Sequence, residues 1–169
     1  MSPYNPNEMR PEWMVPSGVF IVTLSSGDRV NGYAAGWVVR VSEVPVILQV
    51  AVWEENYSYE LAQDAEHFAV HILEEGQQGV ARHFGQTCGR HLDKLEGLDT
   101  RTGVSGLPIL EDCLAHLECE VIFRRVFGDH IVLVGKVIDS AIHRDGIALI
   151  HDYVDYHDAP GVYEKADCD

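Results

Sequence analysis

Long apolar runs are absent from this sequence of 169 residues. No segment approaches the roughly 20 consecutive apolar residues that a membrane-spanning helix needs. The first thirteen residues, MSPYNPNEMRPEW, also lack the basic and then apolar order of a secretory signal peptide. We therefore expect a protein of the cytoplasm that does not cross a membrane.

Basic residues are scarce as well. The chain has 12 Lys and Arg against 27 Asp and Glu, which gives a formal net charge of −15. Non-specific binding to nucleic acid needs a face rich in cations, so this balance argues against a nucleic-acid-binding protein. An anionic nucleotide can still bind where backbone amides and a few cations outweigh the overall field.

Only four cysteines are present, and none forms a CxxC pair. Without a secretory signal, we expect reduced thiols rather than a disulfide framework. The segment CLAHLEC does place Cys113, His116 and Cys119 at a spacing that suggests a metal site. Strand alternation puts both cysteines on the core face and His116 on the other face. We therefore expect structural thiols and no metal site.

The common motifs of nucleotide and metal enzymes are also missing. The sequence contains no GxGxxG after a first strand, no GxxxxGK[ST], no GxSxG elbow and no HExxH. These absences argue against a Rossmann dehydrogenase, a P-loop enzyme and a zincin.

The remaining composition predicts one globular domain over 1–169, with apolar residues at 46% and charged residues at 23%. The polar segments 1–14 and 157–169 are interpreted as peripheral arms around a core of about 15–156. Alternating and β-branched segments predict strands near 17–24, 29–41, 45–54, 67–73, 115–127, 130–142 and 147–151.

Two short helices and a tight hairpin complete the predicted elements. Asn56 caps a helix over 56–66, a weaker helix covers 76–85, and 86–106 is a long loop. Gly128 and Asp129 form a two-residue turn, across which Phe127 faces His130. Antiparallel strands at this spacing predict a barrel with helical lids.

The segment NGYAAGW, residues 31–37, leaves the backbone of a predicted strand almost bare. Glycine inside a strand usually marks a bulge or a close approach by another group. Residues 50–54 run directly into a helix start that carries Ser58, where unpaired amides favour an anion. A planar ring on the bare strand, a phosphate at the helix start and His130 at the hairpin tip together suit flavin mononucleotide (FMN). A tight barrel corner explains the small residues equally well.

The order of these segments resembles the flavin-reductase-like family, and within it the flavoredoxin type. The likeness runs through VPSGVFIVT, NGYAAGWVVRVSEVPVILQVAV, NYSYEL and FAVHIL, and then through ARHFGQTCGRHLDKLEG, LPILEDCLAHLECEV, FGDHIVLVGKV and ALIHDYVDY. It covers roughly residues 15–156 without a large gap. The resemblance implies a mainly β fold, the FMN-binding split β-barrel with a few short helices.

The resemblance also implies where FMN, or FAD in its place, would bind. Residues 31–37 would line the ring and ribityl chain, 50–52 would border the ring, and 56–58 would hold the phosphate end. Lys94 would lie in a loop that closes over the site, and His130 would be the catalytic residue beside the nicotinamide. The implied cofactor-binding residues are Asn31, Gly32, Tyr33, Ala34, Ala35, Gly36, Trp37, Val50, Ala51, Val52, Asn56, Tyr57, Ser58 and Lys94.

The function implied is that of an NAD(P)H:flavin oxidoreductase, with NADH or NADPH as co-substrate. Hydride transfer is then the cofactor's own chemistry, and the protein has to position the two rings. The main alternative is an electron-transfer flavoprotein that holds FMN and is reduced by a partner protein; a flavin-binding module without turnover is a third. The resemblance further implies a homodimer, with a monooxygenase or an electron-transfer protein as a further partner.

Overall fold

The computed structural model describes residues 15–151 and Cys168. The elements in chain order are β1 Phe20–Ser26, β2 Arg29–Ala35, β3 Val38–Glu43, β4 Val46–Trp53, α1 Tyr57–Ala62, β5 His67–Ile72, α2 Gln78–Gln86, β6 Thr100–Thr102, β7 Pro108–Leu110, β8 Ala115–Phe127 and β9 His130–Ile142. The prediction of a mainly β protein with short helices is confirmed. The expected arms lie outside the described residues, apart from Cys168.

Seven strands form one antiparallel sheet in the order β2-β1-β5-β8-β9-β4-β3. Its two edge strands, β2 and β3, are consecutive in the chain and are joined by Gly36 and Trp37, so the sheet curls into a split barrel. The prediction of one strand over 29–41 is wrong, because β2 pairs with β1 whereas β3 pairs with β4. The Ala51 amide donates a hydrogen bond to the Trp37 carbonyl at 3.2 Å, which holds the joining segment beside β4.

The predicted hairpin of β8 and β9 is confirmed. Gly128 has φ +59°, a conformation that glycine adopts without steric cost. Phe127 and His130 are directly opposite each other, and His130 also pairs with Trp53 of β4. The turn therefore places His130 at the beginning of β9, next to the end of β4.

Alternate side chains of the strands fill the barrel. A Cβ at Gly135 would lie 2.5 Å from the Phe68 ring and 2.7 Å from the Cys119 Cβ, so this position of β9 has to be glycine for the strands to pack so closely. Cys113 and Cys119 are buried free thiols, as expected. The core includes Val22, Leu24, Tyr33, Val50, Val52, Phe68, Val70, Cys119 and Leu133.

The expectation of reduced thiols is wrong for the other two cysteines. Cys88 and Cys168 form a disulfide across a sequence separation of 80 residues. Cys88 is buried and lies just after α2, so the bond attaches Cys168 close to the end of that helix.

The two helices differ in length from their predicted ranges. Asn56 caps α1 as predicted, with its side-chain oxygen accepting a hydrogen bond from the Ser58 amide at 3.0 Å. This helix ends at Ala62, before the predicted residue 66. Helix α2 packs its Phe84 ring on the outer face of β2, where a Cβ at Gly32 would lie 2.5 Å from the ring.

A two-stranded hairpin, β6–β7, covers part of the outer face of the sheet. Its strand β6 lies inside the segment 86–106, which was predicted to be a loop throughout. Leu107 and Ile109 pack with Ala69 of β5 beneath this hairpin. His71 and His116, which alternation places off the core face, are therefore buried as well. Facing away from the barrel does not expose them to solvent.

The segment near 147–151 forms isolated bridges instead of the predicted strand. The Val19 amide donates to the Leu149 carbonyl at 3.0 Å, and the Leu149 amide donates to the Leu73 carbonyl at 2.8 Å. These bonds fix Leu149 between Val19, just before β1, and Leu73, just after β5.

Within residues 15–151, no helix is long and apolar enough to cross a membrane.

Candidate functional site

A cavity of about 340 Å³ opens at the junction of β2 and β3. Strand β4, helix α2, the beginning of β9 and the segment 149–151 form its other walls. Pockets that hold cofactors start at about 300 Å³, so this volume suits a small planar ligand. The predicted site residues that line it are Tyr33, Ala34, Ala35, Gly36, Trp37, Ala51, Asn56 and His130.

Small residues form one wall of this cavity, and their side chains fill little of its volume. Ala34, Ala35 and Gly36 present little beyond backbone, and a Cβ at Gly85 of α2 would lie only 3.5 Å from the Ala34 side chain. The helix therefore lies close against the strand end. A flat ring placed here would contact backbone on one side and α2 on another.

Tyr33 spans the barrel beneath the cavity. Its side chain is buried, and its hydroxyl donates a hydrogen bond to the Ala51 carbonyl at 3.2 Å. Burial raises the pKa of Tyr33 far above its ordinary value, so the phenol stays neutral. This bond ties the end of β2 to β4 and fixes the shape of the cavity wall.

Two aromatic rings meet at the cavity mouth. The Trp37 and His130 rings have centroids 4.6 Å apart and are tilted by 32°. Asp129 Oδ1 lies 2.7 Å from His130 Nδ1, and this hydrogen bond is the main cause that lowers the pKa of Asp129. The carboxylate thereby favours a proton on Nδ1, which leaves Nε2 as the ring nitrogen that can meet a substrate.

Seven predicted site residues do not line this cavity. Val50 and Val52 alternate with Ala51 and point into the barrel core, where both are fully buried. Gly32 is covered by Phe84, so its bare backbone accommodates a helix side chain rather than a ligand. The others are Asn31, Tyr57, Ser58 and Lys94.

Asn31 and Ser58 bind each other below the start of α1. Asn31 Nδ2 donates to Ser58 Oγ at 2.9 Å, and both side chains are buried. The Ser58 amide is already bound to the Asn56 side chain. The helix start therefore has fewer unpaired groups for a phosphate than its sequence suggests.

A second hollow, of about 530 Å³, shares no lining residue with the first cavity and contains Asn31, Tyr57 and Lys94. Arg90 forms an ion pair with Glu60, and its guanidinium carbon lies 5.0 Å from the centre of the Tyr57 ring. This hollow lies on the loop that follows α2, so the loop brings three predicted residues together outside the main cavity.

Lys94 is the most deeply buried cation near the site, with 3% of its surface exposed. Its ammonium donates to the Gly32 carbonyl at 3.0 Å and to the Phe84 carbonyl at 2.8 Å. Burial lowers the pKa of Lys94 to about 8. The residue joins the loop to β2 and α2 and does not reach the cavity.

The sequence interpretation missed the wall formed by α2. Arg82 lines the cavity from this helix, and no carboxylate among residues 15–151 forms an ion pair with it. The available signal was the spacing of three and four residues, which places the lining residues on one helical face. The missed lining residues of α2 are Gln78, Ala81, Arg82, Gly85 and Gln86.

The site thus combines a bare strand, aromatic rings and a few polar groups around a shallow cavity. Asn56, Gln78 and Arg82 can bind polar or anionic parts of a ligand, while Trp37 and Trp53 can contact an aromatic ring. No Ser, Thr, Cys, Lys, Asp or Glu side chain lines the cavity among the described residues. The arrangement suits the binding of an aromatic cofactor rather than covalent catalysis by the protein.

The sequence matches the family model described as flavin reductase like domain over residues 13–160. Among curated proteins, it is similar to diflavin flavoprotein A 1 of Synechocystis sp., with 32% identity over 139 residues. The match covers 81% of this chain and 24% of that protein. The chain spans about a quarter of the length of the diflavin flavoproteins that it matches.

Solved structures show the same fold. The NADH:FAD oxidoreductase SgcE6 of Streptomyces globisporus has a TM-score of 0.72 at 29% identity, covering 82% of this chain and 86% of that chain. An FMN-binding protein from Thermus thermophilus gives 0.76 at 26% identity, with 89% and 91% covered. Flavoredoxin from Methanosarcina acetivorans gives 0.71 at 25% identity, with 82% and 73% covered. The predicted fold and the predicted resemblance are both confirmed.

Proposed function

Because this chain belongs to the flavin reductase like domain family, we propose that it binds FMN in the cavity at the β2–β3 junction and transfers hydride to it from NADH or NADPH. The cavity itself carries this proposal, since small backbone-lined walls, aromatic rings and polar side chains meet in it. Its volume of about 340 Å³ lies within the usual range of ligand-binding cavities.

The residues that would hold the flavin are those that line the cavity. The backbone of Ala34, Ala35 and Gly36 forms the surface for the ring, and Tyr33 keeps β4 at a fixed distance from it. Arg82 supplies positive charge within a chain of net charge −15, so it is our candidate for the phosphate end. When bound, the flavin supplies the hydride acceptor.

His130 would position the nicotinamide. Asp129 orients its imidazole through Nδ1, and Trp37 packs against the ring, so Nε2 is held at the cavity mouth. From there Nε2, which is left as an acceptor, can hydrogen-bond the nicotinamide amide. We therefore retain His130 as the catalytic candidate.

The test is a flavin titration followed by an oxidation assay. We expect FMN to bind saturably, with the visible spectrum of a bound flavin, and NADH or NADPH to be oxidised only when FMN is present. His130→Ala should lower kcat/KM for the nicotinamide about tenfold, equal to about 1.4 kcal/mol, with a smaller effect on FMN affinity because the imidazole lies at the cavity mouth. His91→Ala is the matched control, since His91 is exposed and lies outside the cavity. Absence of FMN binding at micromolar concentrations would refute the proposal.

A second candidate function is that of an electron carrier reduced by a protein partner. The similarity to flavoredoxin and to part of a diflavin flavoprotein favours it. Mixing the FMN-loaded protein with NADH and with NADPH in a stopped-flow instrument separates the two. Rapid bleaching by either nucleotide rules out a pure carrier, whereas no bleaching favours the carrier and a partner protein as the electron source.

We also propose that the protein forms a homodimer through the outer face of β3 and the distal half of β8. This surface is strongly apolar for an exposed one: Trp37, Val39 and Val41 are 61%, 50% and 51% exposed. Ile122, Phe123, Val126 and Phe127 are exposed on β8. Strands β9 and β4 lie between β8 and β3 in the sheet, so the two groups are separate parts of the proposed interface. Exposed apolar residues in such numbers mark association sites, and Trp37 also lines the cavity.

Sedimentation velocity checks the dimer. We expect the wild type to sediment as a dimer and the double variant Val39→Asp, Val41→Asp to sediment as a monomer, because two charges then enter an apolar interface. FMN affinity should fall in the same variant, since Trp37 borders both surfaces. Val104→Asp, exposed on a loop outside the patch, serves as the control. A monomeric wild type would contradict this proposal.

A further inference from the structure

A second group of chemically active side chains lies on the outer face of the sheet, apart from the cavity. His116 and Glu118 of β8 are fully buried there, and Asp139 of β9 is paired directly with Glu118. His116 Nε2 lies 3.8 Å from Glu118 Oε1 and 3.7 Å from Asp139 Oδ2, and the three ligand atoms all lie within 4.8 Å of one another. Two ligand atoms of a tetrahedral Zn²⁺ lie about 3.3 Å apart. Small side-chain movements would therefore bring these three atoms close enough together to bind one ion.

His116 has its other ring nitrogen engaged in the manner of a metal ligand. His116 Nδ1 lies 2.8 Å from His143 Nε2, and His143 Nδ1 lies 3.2 Å from the Glu111 carbonyl. A carbonyl can only accept, so His143 donates from Nδ1 and His116 donates to His143 Nε2. His116 Nε2 is then left as a lone pair that faces the two carboxylates. Metal-binding histidines are oriented by such hydrogen bonds.

Glu118 retains the capacity to bind a cation. Its Oε1 accepts one hydrogen bond, from the Val104 amide at 3.1 Å, while Oε2 accepts from the amide and hydroxyl of Ser105. A carboxylate oxygen has two lone pairs, so Oε1 has one left for a metal. The loop of the β6–β7 hairpin therefore fixes the carboxylate without saturating it.

His71 supplies an independent observation that points to a ligand. It is fully buried on β5, directly opposite His116, and its Nδ1 is bound to the Ile21 carbonyl at 3.0 Å on the β1 side. Its Nε2 has no hydrogen-bond partner among the described residues. Since β1 and β8 flank β5 on opposite sides, Nε2 lies on the side of the ring that is turned towards His116. A water bound to a metal at the cluster would satisfy this nitrogen, which is otherwise an unpaired buried acceptor.

A positively charged side chain, Arg101, already lies beside His116. The Arg101 guanidinium donates to His116 Nε2 at 3.2 Å, and the same group lies 3.9 Å from Glu111. The Arg101 side chain is 40% exposed on the short hairpin strand β6, so it can move to Glu111 alone when another cation enters. The cluster therefore already accommodates a positively charged group beside His116.

We propose that His116, Glu118 and Asp139 bind one divalent first-row transition-metal ion, with His71 accepting a hydrogen bond from a water on that ion. Imidazole with carboxylate oxygens suits Zn²⁺ and its neighbours in the series. The ion would link β8 to β9 through these three side chains. This proposal does not depend on the flavin, because none of the four residues lines the cavity.

The experiment titrates Co²⁺ into the full chain after treatment with a chelator, followed by displacement with Zn²⁺. We expect one Co²⁺ per chain with the visible absorption of a tetrahedral site, lost again as Zn²⁺ is added. Asp139→Asn should weaken binding at least about tenfold, and His71→Asn about tenfold through the lost hydrogen bond to water. Arg101→Ala should bind at least as tightly as the wild type, because a competing cation is removed.

The controls separate this site from adventitious binding and from misfolding. His91→Ala, an exposed histidine outside the cluster, should bind Co²⁺ like the wild type. Asp139→Asn changes one partly exposed side chain, and near-ultraviolet circular dichroism of the chelated protein checks that its packing is retained. Two results would overturn the proposal: no saturable Co²⁺ binding in the wild type and in Arg101→Ala, or binding that Asp139→Asn and His116→Ala both retain.

Discussion

Replacing Ala51 with tryptophan is expected to raise the dissociation constant for FMN at least about 100-fold, equal to about 2.8 kcal/mol. Ala51 lines the cavity from β4, and its backbone amide and carbonyl bind Trp37 and Tyr33. The substitution leaves those backbone bonds in place, but its indole would occupy the space proposed for the flavin ring. Fluorescence titration of FMN measures the effect.

The control for this variant is Val104→Trp, which adds a large ring at an exposed loop position. Because Ala51 is only half-buried, the barrel should tolerate the change. Thermal unfolding of both variants without flavin checks this point. Wild-type FMN affinity in Ala51→Trp would place the flavin somewhere other than this cavity.

The second large effect concerns Lys94 and the pH dependence of stability. Burial lowers its pKa to about 8 in the folded protein, against an ordinary value of 10.5. Between these two pH values the unfolded chain binds a proton that the folded chain does not, so the free energy of unfolding rises with pH across this window. The shift corresponds to roughly 3 kcal/mol. Below pH 8 the lysine is charged in both states, and the folded protein bears the full cost of burying it.

We expect the free energy of unfolding of Lys94→Met to lack this rise between pH 8 and pH 10.5. Urea unfolding at several pH values from 7 to 10 measures it, as the difference between the variant and the wild type. Lys136→Met, at an exposed position of β9, is the matched control and should keep the wild-type slope. Parallel curves for the wild type and Lys94→Met would show that the ammonium is not buried in solution.

Local patterns predicted those parts of the fold that depend on neighbouring residues. The strand bounds of the β8–β9 hairpin and the pairing of Phe127 with His130 at its tip were predicted, because alternation and a two-residue turn that begins with glycine specify them locally. The register shifts between Glu118 and Cys119 and between Val121 and Phe123 were not predicted. The break between β2 and β3 was not predicted. Strand-forming residues continue through Trp37, and the pairing of β2 with β1 and of β3 with β4 is a long-range choice.

The same distinction between local patterns and long-range packing applies to the candidate site. The cavity positions on β2, on β4 and at His130 were predicted, because they lie in the segments that carry the resemblance. The α2 wall was missed, since the docking of Phe84 on Gly32 determines which helical face turns inward. His116 was assigned correctly to the face away from the core, but nothing local shows that the β6–β7 hairpin buries that face too.

The joining segment, Gly36 and Trp37, affects the stability of the ligand-bound protein. It connects the two edges of the sheet and lies in the wall of the cavity, so closing the barrel and forming the binding surface are one event. A ligand held there has affinity for the closed barrel and none for the open chain. Its binding energy therefore adds to the free energy of unfolding in proportion to the logarithm of its concentration above the dissociation constant.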